Sequence, residues 1–163
     1  MIEELIDLLR AKHLRIATAE SCTGGMIAAA ITDIAGSSDV FERGFVTYAN
    51  EAKTEMLGVP ASVIARVGAV SREVAALMAE GALLHSHADL AVSVTGIAGP
   101  GGGSREKPVG TVWFGTAERS GEVTTHHRRF PGDRAAVRLA ARDFALTLIG
   151  SLADRDSAGG PDH

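Results

Sequence analysis

Cysteine is almost absent from this chain: Cys22 is the only one among 163 residues. No intrachain disulfide can staple the fold, and a reducing, cytoplasmic setting is expected. Aromatic residues are scarce at 4%, so Val, Ile, Leu and Ala must fill the core, which suits layered α/β packing. A basic excess is missing too. The formal net charge is -4, the opposite of the clustered basic face that direct nucleic-acid binding needs; a small anionic ligand requires only a few local donors and stays open. No apolar run approaches the ~20 residues that span a bilayer, and the longest clean one, Met26 to Ile31, is far shorter. The opening segment MIEELIDLLRAKH is acidic where a secretory leader is basic, and its apolar residues recur at helical spacing. Neither a leader nor a membrane span is expected.

What the chain does contain is enough for one ordinary domain, with 45% hydrophobic and 22% charged residues. Residues 1–153 are expected to form it, and the polar 154–163, with Gly159-Gly-Pro161, to be a disordered tail. Helical spacing runs to about His13, and Leu14 to Ala19 reads as a strand. A polar turn, Glu20 to Gly25, leads into an Ala-rich helix over Met26 to Ile34. Phe41 to Tyr48 alternates as a second strand, and Asn50 looks like the N-cap of a short helix that Gly58 ends. Pro60 opens another helix, and Ser71 caps a longer one reaching Leu84. Ala88 to Thr95 is a buried strand that runs into the glycine-rich Gly96 to Ser104. Val109 to Ala117 and Val123 to Phe130 make an antiparallel hairpin, and Asp133 starts the last helix. Strands alternating with helices and closing on a hairpin predict an α/β fold: a three-layer α/β/α sandwich with a mixed, mostly parallel sheet of about five strands.

Chemistry concentrates in two turns. In Glu20-Ser-Cys-Thr-Gly-Gly25 a strand passes into a helix, where backbone N–H groups and the helix dipole favour negative charge. Ser21, Thr23 and Gly24 are candidates to hold a substrate there, Ser21 as a nucleophile; equally, Ser21 or Thr23 could simply cap the helix. The N–H groups at the helix start are the expected partners of an oxyanion. A serine nucleophile needs a base. His126 and His127 face opposite sides of a predicted strand, and His13, His85 and His87 fall at helix ends, so no Ser-His-Asp triad is supported. Lys53 lies near a strand end, where burial would lower its pKa, but on spacing alone a solvated lysine beside Glu51 or Glu55 fits as well. Tyr48 is open to the same two readings, core aromatic or proton-relaying hydroxyl. In the second turn Gly96, Gly99 and Gly101 permit backbone angles that gather N–H groups around an anion, although neither a Walker loop nor a dinucleotide fingerprint is present. Arg134, opening the last helix, offers a planar donor for phosphate or carboxylate. His85-x-His87-x-Asp89 is a weak metal pattern, and no metal or other cofactor is expected.

Thr18-Ala-Glu-Ser-Cys-Thr-Gly-Gly25, Gly36-Ser-Ser38, Val46-Thr-Tyr-x-Asn50, Ala52-Lys53 and Leu57-Gly-Val59 together resemble the CinA C-terminal domain family. The likeness continues through Gly68-Ala-Val-Ser71, Ser93-Val-Thr-Gly-Ile-Ala-Gly-Pro100, Glu106-Lys-Pro-Val-Gly-Thr-Val-Trp113 and Phe130-x-Gly-Asp-Arg134, covering about residues 2–150. It implies an amidohydrolase that converts nicotinamide mononucleotide to nicotinic acid mononucleotide and ammonia in pyridine nucleotide salvage. It further implies a Ser-Lys mechanism with Ser21 as nucleophile and Lys53 as base, while Tyr48, Thr95 and Arg134 orient and contact the substrate. The partner it implies is a small-molecule nucleotide, and it leaves room for a homodimer. Two rivals stand beside it: a cysteine hydrolase built on Cys22, and a non-catalytic nucleotide- or partner-binding module linked to competence or DNA damage.

Overall fold

In the computed structural model, which describes residues 2–158, helix α1 (Ile2–Ala11) turns at His13, with φ 57, into β1 (Ile16–Glu20). The chain continues through α2 (Met26–Thr32) and β2 (Phe41–Val46) to three helices, α3 (Asn50–Leu57), α4 (Ala61–Val67) and α5 (Arg72–Leu84). Strands β3 (Leu90–Gly96), β4 (Thr111–Glu118) and β5 (Val123–Arg129) follow, then the long α6 (Arg134–Ala158). Strand order is β2-β1-β3-β4-β5. The first three are mutually parallel, and β4 is antiparallel to both of its neighbours. Only β4 opposes the common direction, so the sheet is mixed and mostly parallel, as expected.

Alternation along the strands assigns the layers. Ile16, Val92, Val94, Val112 and Phe114 face α1, α2 and α6, while Ala17, Ala19, Ala91 and Ala117 face α3, α4 and α5. Small residues on the second face let α5 lie close to the sheet. A Cβ on Gly115 would come within 2.3 Å of the Ala75 carbonyl, and Ser93 Oγ donates to that same carbonyl. Gly81 does likewise between the helices, because a Cβ there would sit 2.0 Å from the Leu57 carbonyl at the end of α3. Glycine is required by close approach, and it sets how deeply α3 is seated.

This winding fixes where a ligand can bind. The β1–α2–β2 connection uses one face of the sheet and the β2–α3–α4–α5–β3 connection the other, so the chain leaves β1 on one side and returns on the other. Loops after the carboxyl ends of β1 and β3 diverge at that switch and leave a crevice between them. Ser21 follows β1 directly, and its N–H still bonds the Val94 carbonyl at 3.0 Å.

Most element ends lie one or two residues from expectation, and two assignments change. Asn50 is the first residue of α3, not its N-cap: Ala49 holds the cap position in extended conformation, without a side-chain bond. Ser71 does cap α5, accepting from the Val74 N–H. Helix α6 runs to Ala158, so 154–158, expected as tail, are helical; 159–163 lie outside the described residues.

Every residue of β1 is buried, and Thr18 Oγ1 has no hydrogen-bond partner among the described residues. A buried hydroxyl without a partner keeps its desolvation cost, and valine has nearly the same shape. Thr18→Val is therefore expected to raise the unfolding free energy by about 1 kcal/mol, read as a higher urea midpoint at constant slope. A lower midpoint would mean that the hydroxyl has a partner.

Candidate active site

Ser21 stands at the floor of the crevice, only 8% exposed. The turn that carries it is tight: the Ser21 carbonyl accepts the Gly24 N–H at 3.0 Å, with φ 58 at Gly24 and φ 107 at Gly25. These left-handed angles suit glycine at both positions. The expected use of the following helix start is corrected by Glu20. Its buried carboxylate accepts the N–H groups of Gly25, Ile27 and Ala28 and the Thr23 hydroxyl, the last at 2.6 Å. The first turn of α2 is thus capped from the strand, and its donors are occupied. Neither Ser21 nor Thr23 is the cap.

The Ser21 hydroxyl points to Lys53 instead, with Nζ 3.0 Å from Oγ. Lys53 lies on the inner side of α3 above Leu57, one turn further along, and both are buried while Glu51, Glu55 and Met56 face out. At 1% exposure the lysine is not the solvated alternative. Its nitrogen also donates to the carbonyls of Thr47, at 2.9 Å, and Tyr48, at 3.2 Å. A neutral amine has two N–H bonds and one lone pair. Two carbonyls and one hydroxyl can take three N–H bonds of the charged form; in the uncharged form the two N–H bonds go to the carbonyls and the lone pair turns to the Ser21 proton. Among the described residues no carboxylate pairs with the nitrogen, and burial holds its pKa below the ordinary lysine value.

Around this pair is a cleft of about 260 Å³, walled by Tyr48, Asn50, Thr95 and the loop residues 96–99, 101 and 102 and closed by Arg134. Arg134 bridges its two sides, Nη1 to the Gly99 carbonyl at 2.8 Å and Nη2 to the Tyr48 hydroxyl at 2.9 Å. Tyr48 is 60% exposed, so it is no core aromatic. The N–H groups of Ala98, Gly99, Gly101 and Gly102 have no protein acceptor among the described residues. Gly99 takes φ 86, and a Cβ there would meet Val109 at 2.5 Å. Lys107 ties the far end of this loop to the Val67 carbonyl at 2.7 Å.

The structure therefore gathers Ser21, Lys53, Tyr48, Thr95, Gly96, Gly99, Gly101 and Arg134 on one cleft. Thr23 and Gly24 do not line it, because Thr23 is buried against Glu20 and Gly24 closes the turn behind the serine. The Thr95 hydroxyl already donates to the Ala69 carbonyl at 2.9 Å, so this side chain shapes the wall. Sequence reasoning missed Glu20 and Asn50. An acidic residue ending a buried strand just before a helix start was the available signal for Glu20. A larger groove of about 550 Å³ between α1 and α6, floored by Leu5, Leu8 and Leu146, holds none of these groups. Among the described residues no cluster of three or more His, Cys, Asp or Glu approaches metal-binding geometry, and no helix is long and apolar enough to cross a membrane.

Cys22 also borders the cleft. Burial pushes its thiol up to about 11, against the opposing pull of its own backbone N–H and of Arg138. Such a thiol is not ionised near neutrality and makes a poor nucleophile.

Comparison with known proteins gives concordant results. The family model described as the CinA C-terminal domain matches residues 1–153. The chain is 61% identical over 143 residues to nicotinamide-nucleotide amidohydrolase PncC of Enterobacter agglomerans, covering 88% of this chain and 87% of that one. It is 57% identical over 147 residues to the protein of that name from Escherichia coli strain K12, covering 90% and 89%. Among solved structures, the competence/damage inducible protein CihA from Agrobacterium tumefaciens matches with a TM-score of 0.88 at 52% identity, over 93% of this chain and 94% of that chain.

Proposed function

The chain belongs to the CinA C-terminal domain family, and from that premise we propose that it hydrolyses the carboxamide of nicotinamide mononucleotide to nicotinic acid mononucleotide and ammonia. The observation that carries this is the buried Lys53 nitrogen 3.0 Å from Ser21 Oγ, held by two main-chain carbonyls and with no carboxylate paired to it among the described residues. Ser21 Oγ adds to the carboxamide carbon as its proton passes to Lys53. The lysine ammonium then gives that proton to the departing nitrogen, ammonia leaves, and the acyl group remains esterified to Ser21. A water molecule, deprotonated by the regenerated amine, hydrolyses the ester and frees the serine.

Binding falls to the opposite side of the cleft. The N–H groups of Gly99, Gly101 and Gly102 and the remaining donors of Arg134 suit the ribose phosphate, and Tyr48 orients the sugar side. All these residues come from one chain, so a homodimer is compatible with the site without being needed to build it. A cytoplasmic setting agrees with the single cysteine and with a nucleotide substrate.

Purified protein should release ammonia from nicotinamide mononucleotide, and Cys22→Ala should retain that activity within about threefold, since a thiol titrating near 11 contributes little nucleophile. A rise in melting temperature with the nucleotide but no ammonia would identify a binding module instead. Loss of activity in Cys22→Ala would transfer the nucleophile to the thiol.

A further inference from the structure

Arg138 lies one turn beyond Arg134 on the same side of α6 but does not line the cleft. Among the described residues it makes no ion pair. Its half-buried guanidinium instead donates from Nε to the Cys22 carbonyl at 3.0 Å and from Nη2 to the Thr23 carbonyl at 3.3 Å. We propose that Arg138 is a positioning residue for the nucleophile, clamping the turn so that Ser21 Oγ and the Cys22 N–H both face the reacting carbonyl. This rests on the amidohydrolase function proposed above.

A trans peptide sets its C=O and the next N–H in one plane, pointing in opposite directions. The plane after Ser21 is fixed by the Gly24 N–H on the Ser21 carbonyl, the plane after Cys22 by Arg138 alone among the described residues, and the plane after Thr23 by Arg138 together with the Met26 N–H, which donates to the same carbonyl at 3.0 Å. Beyond them, Glu20 holds the N–H groups of Gly25, Ile27 and Ala28. Every peptide plane from the nucleophile into the helix therefore has a hydrogen-bonded hold, and for the one after Cys22 that hold is Arg138. Without it, the plane after Cys22, next to the one that carries the Cys22 N–H, has no hydrogen-bonded hold among the described residues. The Cys22 N–H is left without a backbone acceptor among the described residues, at a residue that borders the cleft. The amide following a nucleophilic serine is a common oxyanion donor, and the donors at the α2 start are already occupied.

A clamp of this kind acts on the transition state more than on substrate binding, which separates it from a residue that merely docks α6. Steady-state ammonia release from nicotinamide mononucleotide should show kcat lowered about 100-fold in Arg138→Met, the order of losing one oxyanion donor, with KM changed by less than about threefold. Arg138→Lys keeps the charge but reaches only one carbonyl, so it should fall between Arg138→Met and the parent protein in kcat. A kcat within about threefold of the parent in Arg138→Met, or a loss confined to KM, overturns the proposal. If Arg138→Met does not fold, as judged by its melting curve, Arg138→Lys decides, and full kcat in that variant overturns it. Absence of ammonia release from the parent protein would defeat the amidohydrolase function itself, a result distinct from any of these.

Discussion

Ser21→Ala should abolish ammonia release from nicotinamide mononucleotide, with kcat lowered on the order of 10⁴-fold or more, as when an acyl-transfer enzyme loses its nucleophile. The fold should survive. Only one oxygen is removed, at a side chain already 8% exposed, and the turn keeps its holds from Glu20, the Gly24 N–H and Arg138. Lys53 keeps both carbonyl partners. The nucleotide should still bind, because the glycine loop and Arg134 are untouched, so isothermal titration should give a dissociation constant within about threefold of the parent. Residual turnover above roughly a hundredth of the parent rate would remove Ser21 from the mechanism.

The second large effect concerns the base. Lys53→Arg retains a cation but cannot shed its proton at working pH, so kcat should fall by about 10²- to 10⁴-fold, the range attributed to general base catalysis. The pH dependence follows from the direction of the shift. Burial lowers the folded-state pKa of Lys53 below its ordinary 10.5, and the active form is the uncharged amine, present above that lowered value. In the parent enzyme kcat/KM should therefore rise with pH along a limb whose midpoint lies below 10.5. Stability carries the same sign. Between the lowered folded value and the unfolded one the unfolded chain binds more protons, so this residue makes the protein more stable as pH rises through that window and less stable as it falls. Urea midpoints measured across the window should show that slope, and Lys53→Met should flatten it. A parent rate profile with no ascending limb, or near-normal turnover in Lys53→Arg, would leave the serine without its base.

Much of this was legible in the residues, for physical reasons that also explain the gaps. Period-two and period-3.6 patterns marked the strands and helices, and their alternation set the three layers. Element boundaries drifted because capping depends on contacts from elsewhere: Asn50 has the chemistry of a cap but opens α3, while Ser71 performs as its type suggests. Ser21 was conspicuous between a strand and a helix. Lys53 was not, since Glu51 and Glu55 supply a sufficient surface explanation, and what buries it is the depth at which Gly81 seats α3, a contact between helices distant in sequence. Only the likeness in whole strings of residues singled the lysine out. The oxyanion expectation failed at Glu20, whose carboxylate reaches across the turn to donors that spacing had left available. Arg138 was hidden among the arginines of α6, because its partners are carbonyls and a main-chain acceptor leaves no mark on the residue type that carries it.

That same invisibility applies to the seat of the amine. The carbonyls of Thr47 and Tyr48 that steady Lys53 exist whatever side chains stand there. Swaps at position 47 that keep the size of this fully buried side chain, such as Thr47→Val, would leave the chemistry almost unchanged, although the carbonyl beside it helps to aim the proton acceptor. The seat of the base is thus blind to side-chain chemistry, and disturbing it requires bending the chain.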